Sequence, residues 1–378
     1  MAAFTVQPVR TPAEQEQFLD VPTHVYGGDP NWVPPLRRSV AKVFLPSNPF
    51  RDYGQLQQFI ALTSNSPRQP LGRVVAAVNR RLIAKEGNNV GLFGFFECVQ
   101  DLDVARAIMG AACQWLQAQG MTTVRGPIDL SIHNGGLFLV EGFDTPPMVM
   151  TPYNPPYYGE FMLALGWHRA KDAYAYDLPL DKLLAPKFER AYRIAQTSGI
   201  QFRSLQTKGA AFEADCRGLY HLFTTAFNDN WSASPLTEAE FLGQAQDLKT
   251  LVDPDIFLIA EDRGKMVGFF MGLPDYNLAL KHVHGRLNWL GVLKFLWYRR
   301  QIDQGRVLAI GLLPAYRGRM IAPALGYLGM KGGVINKKRP YKRAELSWVW
   351  EDNLNSRKII EAAGATILKT YRAYEKDL

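Results

Sequence analysis

The sequence predicts an α/β protein in two parts, and three observations carry this. Its 378 residues exceed what one ordinary core organises, and 47% of them are hydrophobic, enough for packed cores. Runs of strand character alternate with runs of helical periodicity from end to end. The charge also divides the chain. Residues 1–180 carry 14 Lys and Arg against 15 Asp and Glu, a net of −1, whereas residues 181–378 carry 29 against 20, a net of +9. The division falls at 1–180 and 181–378.

In the first part a strand is expected at Phe4–Val9, followed by a helix from Pro12. Pro30 to Phe50 is rich in proline and aromatic residues and suits only short helices. Strands follow at Gln57–Thr63, Gly72–Asn79 and Val90–Val99. Small and apolar residues at helical spacing place a helix over Val104–Gln119, with a strand at Thr122–Gly126. Residues 146–160, PPMVMTPYNPPYYGE, hold too many prolines to be regular throughout, and a helix then leads into Gly166-Trp167. A linker begins near residue 178 and passes into a helix before residue 200. In the second part strands are expected at Gln201–Leu205, Ile256–Asp262, Met266–Met271, Arg306–Leu313 and Ala344–Trp350. The order repeats that of the first part, and Asn154 to Gly166 echoes Asn353 to Gly364, so the chain reads as an internal duplication.

The most telling stretch is 306–326, RVLAIGLLPAYRGRMIAPALG. An apolar strand, Val307 to Leu313, ends at Pro314. The turn Tyr316-Arg317-Gly318-Arg319 follows, and a helix starts at about Ile321. A helix N-terminus offers unpaired N–H donors and a partial positive charge, which together suit a phosphate. Two arginines flank the turn, and guanidinium matches phosphate geometry.

This composite resembles motif A of the GCN5-related N-acetyltransferases, Q/R-x-x-G-x-G/A after a strand. Pro314, Tyr316, Arg317, Gly318 and Ala322 supply the match, with Met320 where the family has glycine. The segment 343–365, RAELSWVWEDNLNSRKIIEAAGA, is similar to the next strand and helix of that family. Asn353 is the expected helix cap, followed by Ser356 and Gly364, and Ile360 stands where a proton-donating tyrosine is common. The resemblance implies two tandem acetyltransferase-like domains, each a mixed, mostly antiparallel twisted sheet flanked by helices. It covers residues 200–378 best. It also implies acetyl-CoA as co-substrate, held by Arg317, Gly318, Arg319, Met320, Ile321 and Ala322 at its phosphates and by Asn353 and Ser356 along its pantetheine arm. The thioester carbonyl would bind a free N–H at Leu312 or Leu313 in a splayed strand. Glu345 and Ser347 share a strand face that Glu351 continues; Glu345 is the expected general base. Tyr371, Tyr374 or water replaces the missing acid. The first copy lacks the Arg/Gly turn and has Asp101 and Asp103 in its place, so it is expected to bind no coenzyme.

The implied function is N-acyl transfer to an amine, small molecule or peptide. Two alternatives stay open: a non-catalytic coenzyme-A-binding regulatory module, and a long-chain acyltransferase at a membrane surface. The second rests on an insertion, 275–305, in which Trp289, Leu293, Leu296 and Trp297 share a helical face. That face reads either as a core or interdomain contact or, through 287–298, as a peripheral membrane contact. The basic run Lys331 to Arg343 reads as a solvated helix end or as a contact to coenzyme phosphates. No nucleic-acid motif accompanies the basic charge, so no nucleic-acid partner is expected. Six histidines and three scattered cysteines, Cys98, Cys113 and Cys216, show no ligand spacing, so no metal is expected. The N-terminus MAAFTVQPVR has no apolar leader, and no run reaches the length of a membrane span. A cytoplasmic location is expected.

Overall fold

A computed structural model describes residues 4–180 and 186–378. The linker expected from residue 178 runs through 181–185, which lie outside the described residues. In chain order the strands are β1 (Phe4–Pro8), β2 (Gly54–Thr63), β3 (Pro70–Asn79), β4 (Val90–Cys98), β5 (Thr123–Gly126), β6 (Phe138–Glu141) and β7 (His168–Pro179). They continue as β8 (Ile200–Ser204), β9 (Phe257–Asp262), β10 (Lys265–Pro274), β11 (Gln304–Leu312), β12 (Arg343–Trp350) and β13 (Thr366–Asp377). All join one sheet in the order β1-β2-β3-β4-β5-β13-β7-β12-β11-β10-β9-β8, with β6 on β13.

That order exposes the duplication and adds something to it. The first half runs β1 to β5 and the second β8 to β12, each mostly antiparallel with one parallel step, β4 to β5 and β11 to β12. The closing strands are exchanged. β7 of the first half pairs with β12, while β13 at the chain's end pairs with β5, and the two lie against each other in the middle. The boundary at residue 180 therefore divides the sequence but not the sheet. Each half depends on the other for its last strand.

Local chemistry sets the helices. Thr11 and Glu14 form a reciprocal capping box ahead of the helix Pro12–Val25, which satisfies two donors at its start. Asp101 caps the helix Leu102–Ala118 by accepting from the N–H groups of Asp103 and Val104. A carboxylate thus fills the position where a phosphate would sit in the first copy. The opening between β4 and β5 is closed as well: a Cβ at Gly94 would meet Ile128 O at 2.4 Å. The helix Ile321–Val334 of the second copy is rich in glycine, and this lets it press on the sheet. Gly329 lies against the Phe270 ring, and a Cβ at Gly332 would sit 1.8 Å from Asp255 O.

Candidate active site

β11 and β12 run parallel but pair only from Gln304↔Arg343 to Val307↔Leu346. Beyond Val307, β11 stays with β10, from Met271↔Ala309 to Gly268↔Leu312, while β12 stays with β7, from Arg343↔Pro179 to Trp350↔Ala173. A wedge opens between them. Leu313 N–H does not serve the wedge, because it donates to Val267 O at 3.0 Å. Antiparallel bonds alternate along a strand, so Leu312 N–H is directed away from β10, toward the opening.

At the mouth of the wedge lies the turn. Residues 314–316 form one 3-10 turn, and Tyr316 Oη donates to Asp262 Oδ2 at 2.7 Å. Gly318 (φ +80°) and Met320 (φ +61°, ψ +7°) both adopt the left-handed conformation. This aims the chain into the helix Ile321–Val334 with the Met320 side chain outside, 45% exposed. No side chain caps that helix, and Pro323 has no N–H, so the free donors of its first turn are Ile321 and Ala322. Arg317 and Arg319 are exposed beside them, and the Arg319 guanidinium stacks on Tyr316 at 4.9 Å. Across the wedge, Asn353 Oδ1 caps the helix Leu354–Ala362 by accepting from Ser356 N–H at 3.2 Å, as its position in the sequence suggests. The basic run 331–343 is not part of this site. Lys337 pairs with Asp253 and Asp255, Lys342 with Asp303 and Arg343 with Asp177, at the far end of a 14-residue helix.

The two faces of the wedge differ in chemistry. Alternation along β12 turns Ala344 and Leu346 to one face and Glu345 and Ser347 to the other. On the first face is a cavity lined almost wholly by apolar groups. Ala322, Gly326, Gly329 and Gly333 give it room along one side of their helix, and Ile359 and Ile360 wall it. Its far end passes the apex of the wedge and reaches Gly305 and Tyr341.

On the second face, Arg306, Glu345 and Ser347 are buried together. Arg306 donates from Nε to Ser347 Oγ at 2.8 Å, from Nη2 to Ser347 O at 3.0 Å and from Nη1 to Val149 O at 2.8 Å. Ser347 Oγ donates to Glu345 Oε1 at 2.7 Å. Three polar atoms there have no partner: Glu345 Oε2, Tyr371 Oη and Trp348 Nε1. Buried polar atoms are almost always satisfied, so three together set this side of the wedge apart from the packed core. Burial pushes the Tyr371 phenol well up, with the Glu345 charge adding to it. Burial pushes the Asp275 carboxyl up to about 6, although Gln304, Val149 and Asn277 all donate to it. Burial also pulls Lys369 down to about 8 against the pull of Glu345; its Nζ donates to Gly142 O and Thr145 O.

Glu345 and Ser347, paired on sequence grounds, are thus in direct contact. Glu351 leaves them: its carboxylate accepts from Asp172 N and pairs with Arg169. Of the two substitute tyrosines, Tyr371 stands beside Trp348, ring centroids 5.8 Å apart, whereas Tyr374 lies in the first half's core against Phe138. Arg306, Lys369 and the cavity itself escaped the sequence reading. The cavity did leave a signal, Ala322, Gly326, Gly329 and Gly333 at four-three-four spacing on one helix face.

Comparison with known proteins adds to this picture. Over 382 residues the chain is 32% identical to the bacterial ceramide synthase of Caulobacter vibrioides, covering 100% of this chain and 98% of that one. It is 30% identical over 369 residues to protein YghO of Escherichia coli, covering 96% and 92%. Among solved structures, a tandem GNAT protein from the clavulanic acid biosynthesis pathway superposes with a TM-score of 0.58 at 12% identity, covering 99% of this chain and 98% of that one. A GCN5-related N-acetyltransferase from Sphaerobacter thermophilus gives 0.53 at 15% identity, with 99% and 95% covered. These likenesses show the tandem fold. No protein-family model matches the chain.

Proposed function

We propose that this chain, which belongs to the family of the Caulobacter bacterial ceramide synthase and YghO, transfers a long acyl group from coenzyme A to the amine of a long-chain amino alcohol. It is an acyltransferase on the tandem GCN5-related N-acetyltransferase fold. The cavity beside the wedge carries the choice of a long chain. It runs from Ala322 and Gly326 past Ile359 and Ile360 to Gly305 and Tyr341, and its exposed lining offers almost nothing polar to a charged group. An acetyl group, the default donor by resemblance, would leave it unfilled. Ile360 fits this reading too, as it walls the cavity where a phenol would place a hydroxyl against the chain.

The remaining parts follow the wedge. Arg317 and Arg319, with the N–H groups of Gly318, Met320, Ile321 and Ala322, take the coenzyme phosphates. Asn353 and Ser356 border the pantetheine arm. A thioester seated between the strands has the apolar cavity on one side and Glu345 on the other, with Leu312 N–H directed at its carbonyl oxygen. The amine is protonated at neutral pH, since a primary alkyl amine resembles lysine with a pKa of about 10.4. Glu345 Oε2, free of hydrogen bonds, takes that proton, while Arg306 and Ser347 hold the carboxylate in place. The neutral amine then attacks the thioester carbon, the C–S bond breaks, and the second proton that nitrogen sheds passes to the departing sulfur, leaving an amide and a free thiol. A thiol of pKa about 8.5 departs readily as thiolate. A cytoplasmic location belongs to the proposal, in keeping with three free cysteines.

The test is thiol release from an acyl-CoA series with sphinganine as acceptor. Palmitoyl-CoA should exceed acetyl-CoA in kcat/KM. A preference for acetyl-CoA would overturn the assignment of the cavity.

A further inference from the structure

The insertion between β10 and β11 takes no part in the wedge. It hangs from the end of the sheet at Pro274 and Gln304 and includes the helix Trp289–Tyr298. Asn288 caps this helix through Gly291 N–H at 2.8 Å, so its orientation is fixed locally. Its inward side is small and aromatic: Gly291 is buried, Phe295 stacks on Tyr276 and Tyr298 on His282. Its outward side is the apolar one. Trp289 is 71% exposed, Leu293 57% and Trp297 62%, with Leu290, Val292 and Leu296 exposed around them. At 100° per residue these six occupy one arc, and no charged residue interrupts it. The polarity is the reverse of that on a surface helix in water, and monomers rarely leave so continuous a patch open.

The borders of the patch identify what covers it. Between Tyr276 and Ile302 the chain has no Asp or Glu, but it has Lys281, Arg286, Lys294, Arg299 and Arg300. Arg286, Lys294, Arg299 and Arg300 are exposed. The basic helix Arg37–Val43 is tied to the same insertion through Arg37 N–H to Gly285 O at 3.1 Å, and it brings exposed Arg38 and Lys42. Apolar residues facing outward, a tryptophan near each end and an unbroken cationic border match the boundary of an anionic bilayer, where indole rings and long basic side chains partition. No helix among the described residues is long and apolar enough to cross a membrane.

We infer that the helix Trp289–Tyr298 lies in the plane of an anionic lipid surface and anchors the protein there, its outward arc among the acyl chains and its basic border on the headgroups. The experiment is co-sedimentation of the full chain with vesicles of phosphatidylcholine alone and of phosphatidylcholine mixed with phosphatidylglycerol. It reads lipid binding and not turnover, so its result is independent of the acyl-transfer reading. Binding should favour the anionic vesicles and weaken with salt. The double variant Leu293→Glu, Trp297→Glu should lose at least about tenfold in bound-to-free ratio. Arg299→Ser and Arg300→Ser should each lose about fivefold, on anionic vesicles only. Both sites are exposed, so melting temperatures should stay at the wild-type value. Absence of binding to either vesicle, equal binding to both, or wild-type binding by the double variant would overturn the inference. So would a dimer in light scattering that the double variant dissociates, since a second copy would then be what covers the patch.

Discussion

Gly326→Leu should shorten the acyl chain the protein accepts without weakening the fold. Gly326 lines the cavity, and a Cβ built there meets nothing within 4 Å, so the new side chain enters empty space. It sits in the middle of the helix Ile321–Val334, where replacing glycine by leucine is favourable by roughly 0.5–1 kcal/mol on helix propensity alone. The thermal midpoint should hold or rise. The leucine side chain brings four carbons into the path of the acyl tail. Each methylene kept out of the cavity forfeits about 0.8 kcal/mol, so four forfeit about 3 kcal/mol, or roughly 150-fold in kcat/KM. The assay is continuous thiol detection with sphinganine and acyl-CoA donors from acetyl to palmitoyl. The loss should fall on the longest donors and spare the shortest, so the optimum moves to shorter chains. If the variant is folded and its palmitoyl-to-acetyl ratio equals that of the wild type, the acyl chain does not occupy this cavity.

Glu345→Gln should lower kcat by about 10²–10⁴ while calorimetric binding of coenzyme A stays unchanged, because the carboxylate faces the side of the wedge opposite the cavity. Arg317→Ala and Arg319→Ala should each weaken coenzyme A binding about tenfold and flatten its salt dependence, which titration at two ionic strengths reads. The buried Glu97 carboxyl accepts from Tyr26 and Tyr158 at 2.7 and 2.9 Å, and burial pushes it up to about 7, with Arg73 and the two phenols opposing. A carboxyl raised in the fold binds its proton more tightly there than when unfolded. Its contribution is therefore full at acid pH and lost between about pH 4.5 and 7, at most about 3 kcal/mol. Melting temperatures should fall across that window in the wild type and fall less steeply in Glu97→Gln; identical slopes would remove Glu97 as the cause.

The parts of this molecule that were legible in its sequence are those set by neighbouring residues. The turn from Pro314 to Ile321 and the Asn353 cap lie where the sequence places them, because proline, glycine and a short polar side chain act within a few residues. The contact between Glu345 and Ser347 follows from strand periodicity. Nonlocal pairing was not legible. Nothing along the chain says that β7 and β13 change places, since both are 12-residue strands that fit either slot. The same limit explains Leu313, whose N–H is engaged only because β10 extends far enough to present Val267 O. It explains Glu351, which keeps the parity of Glu345 but lies past the end of β12, where Arg169 holds it. The acidic residues of the first copy lead the sequence to expect no coenzyme there, and in the structure Asp101 accepts from the N–H groups of Asp103 and Val104.

Amide formation at the wedge from a long-chain thioester is the central step. The most direct measurement is mass spectrometry of the products after purified protein meets palmitoyl-CoA and sphinganine, with free thiol counted in the same sample. One N-palmitoyl amide should form for each coenzyme A thiol released, and Glu345→Gln should yield neither product at a comparable rate. Thiol release without amide, or amide formed as fast with Glu345→Gln as with the wild type, would contradict that step.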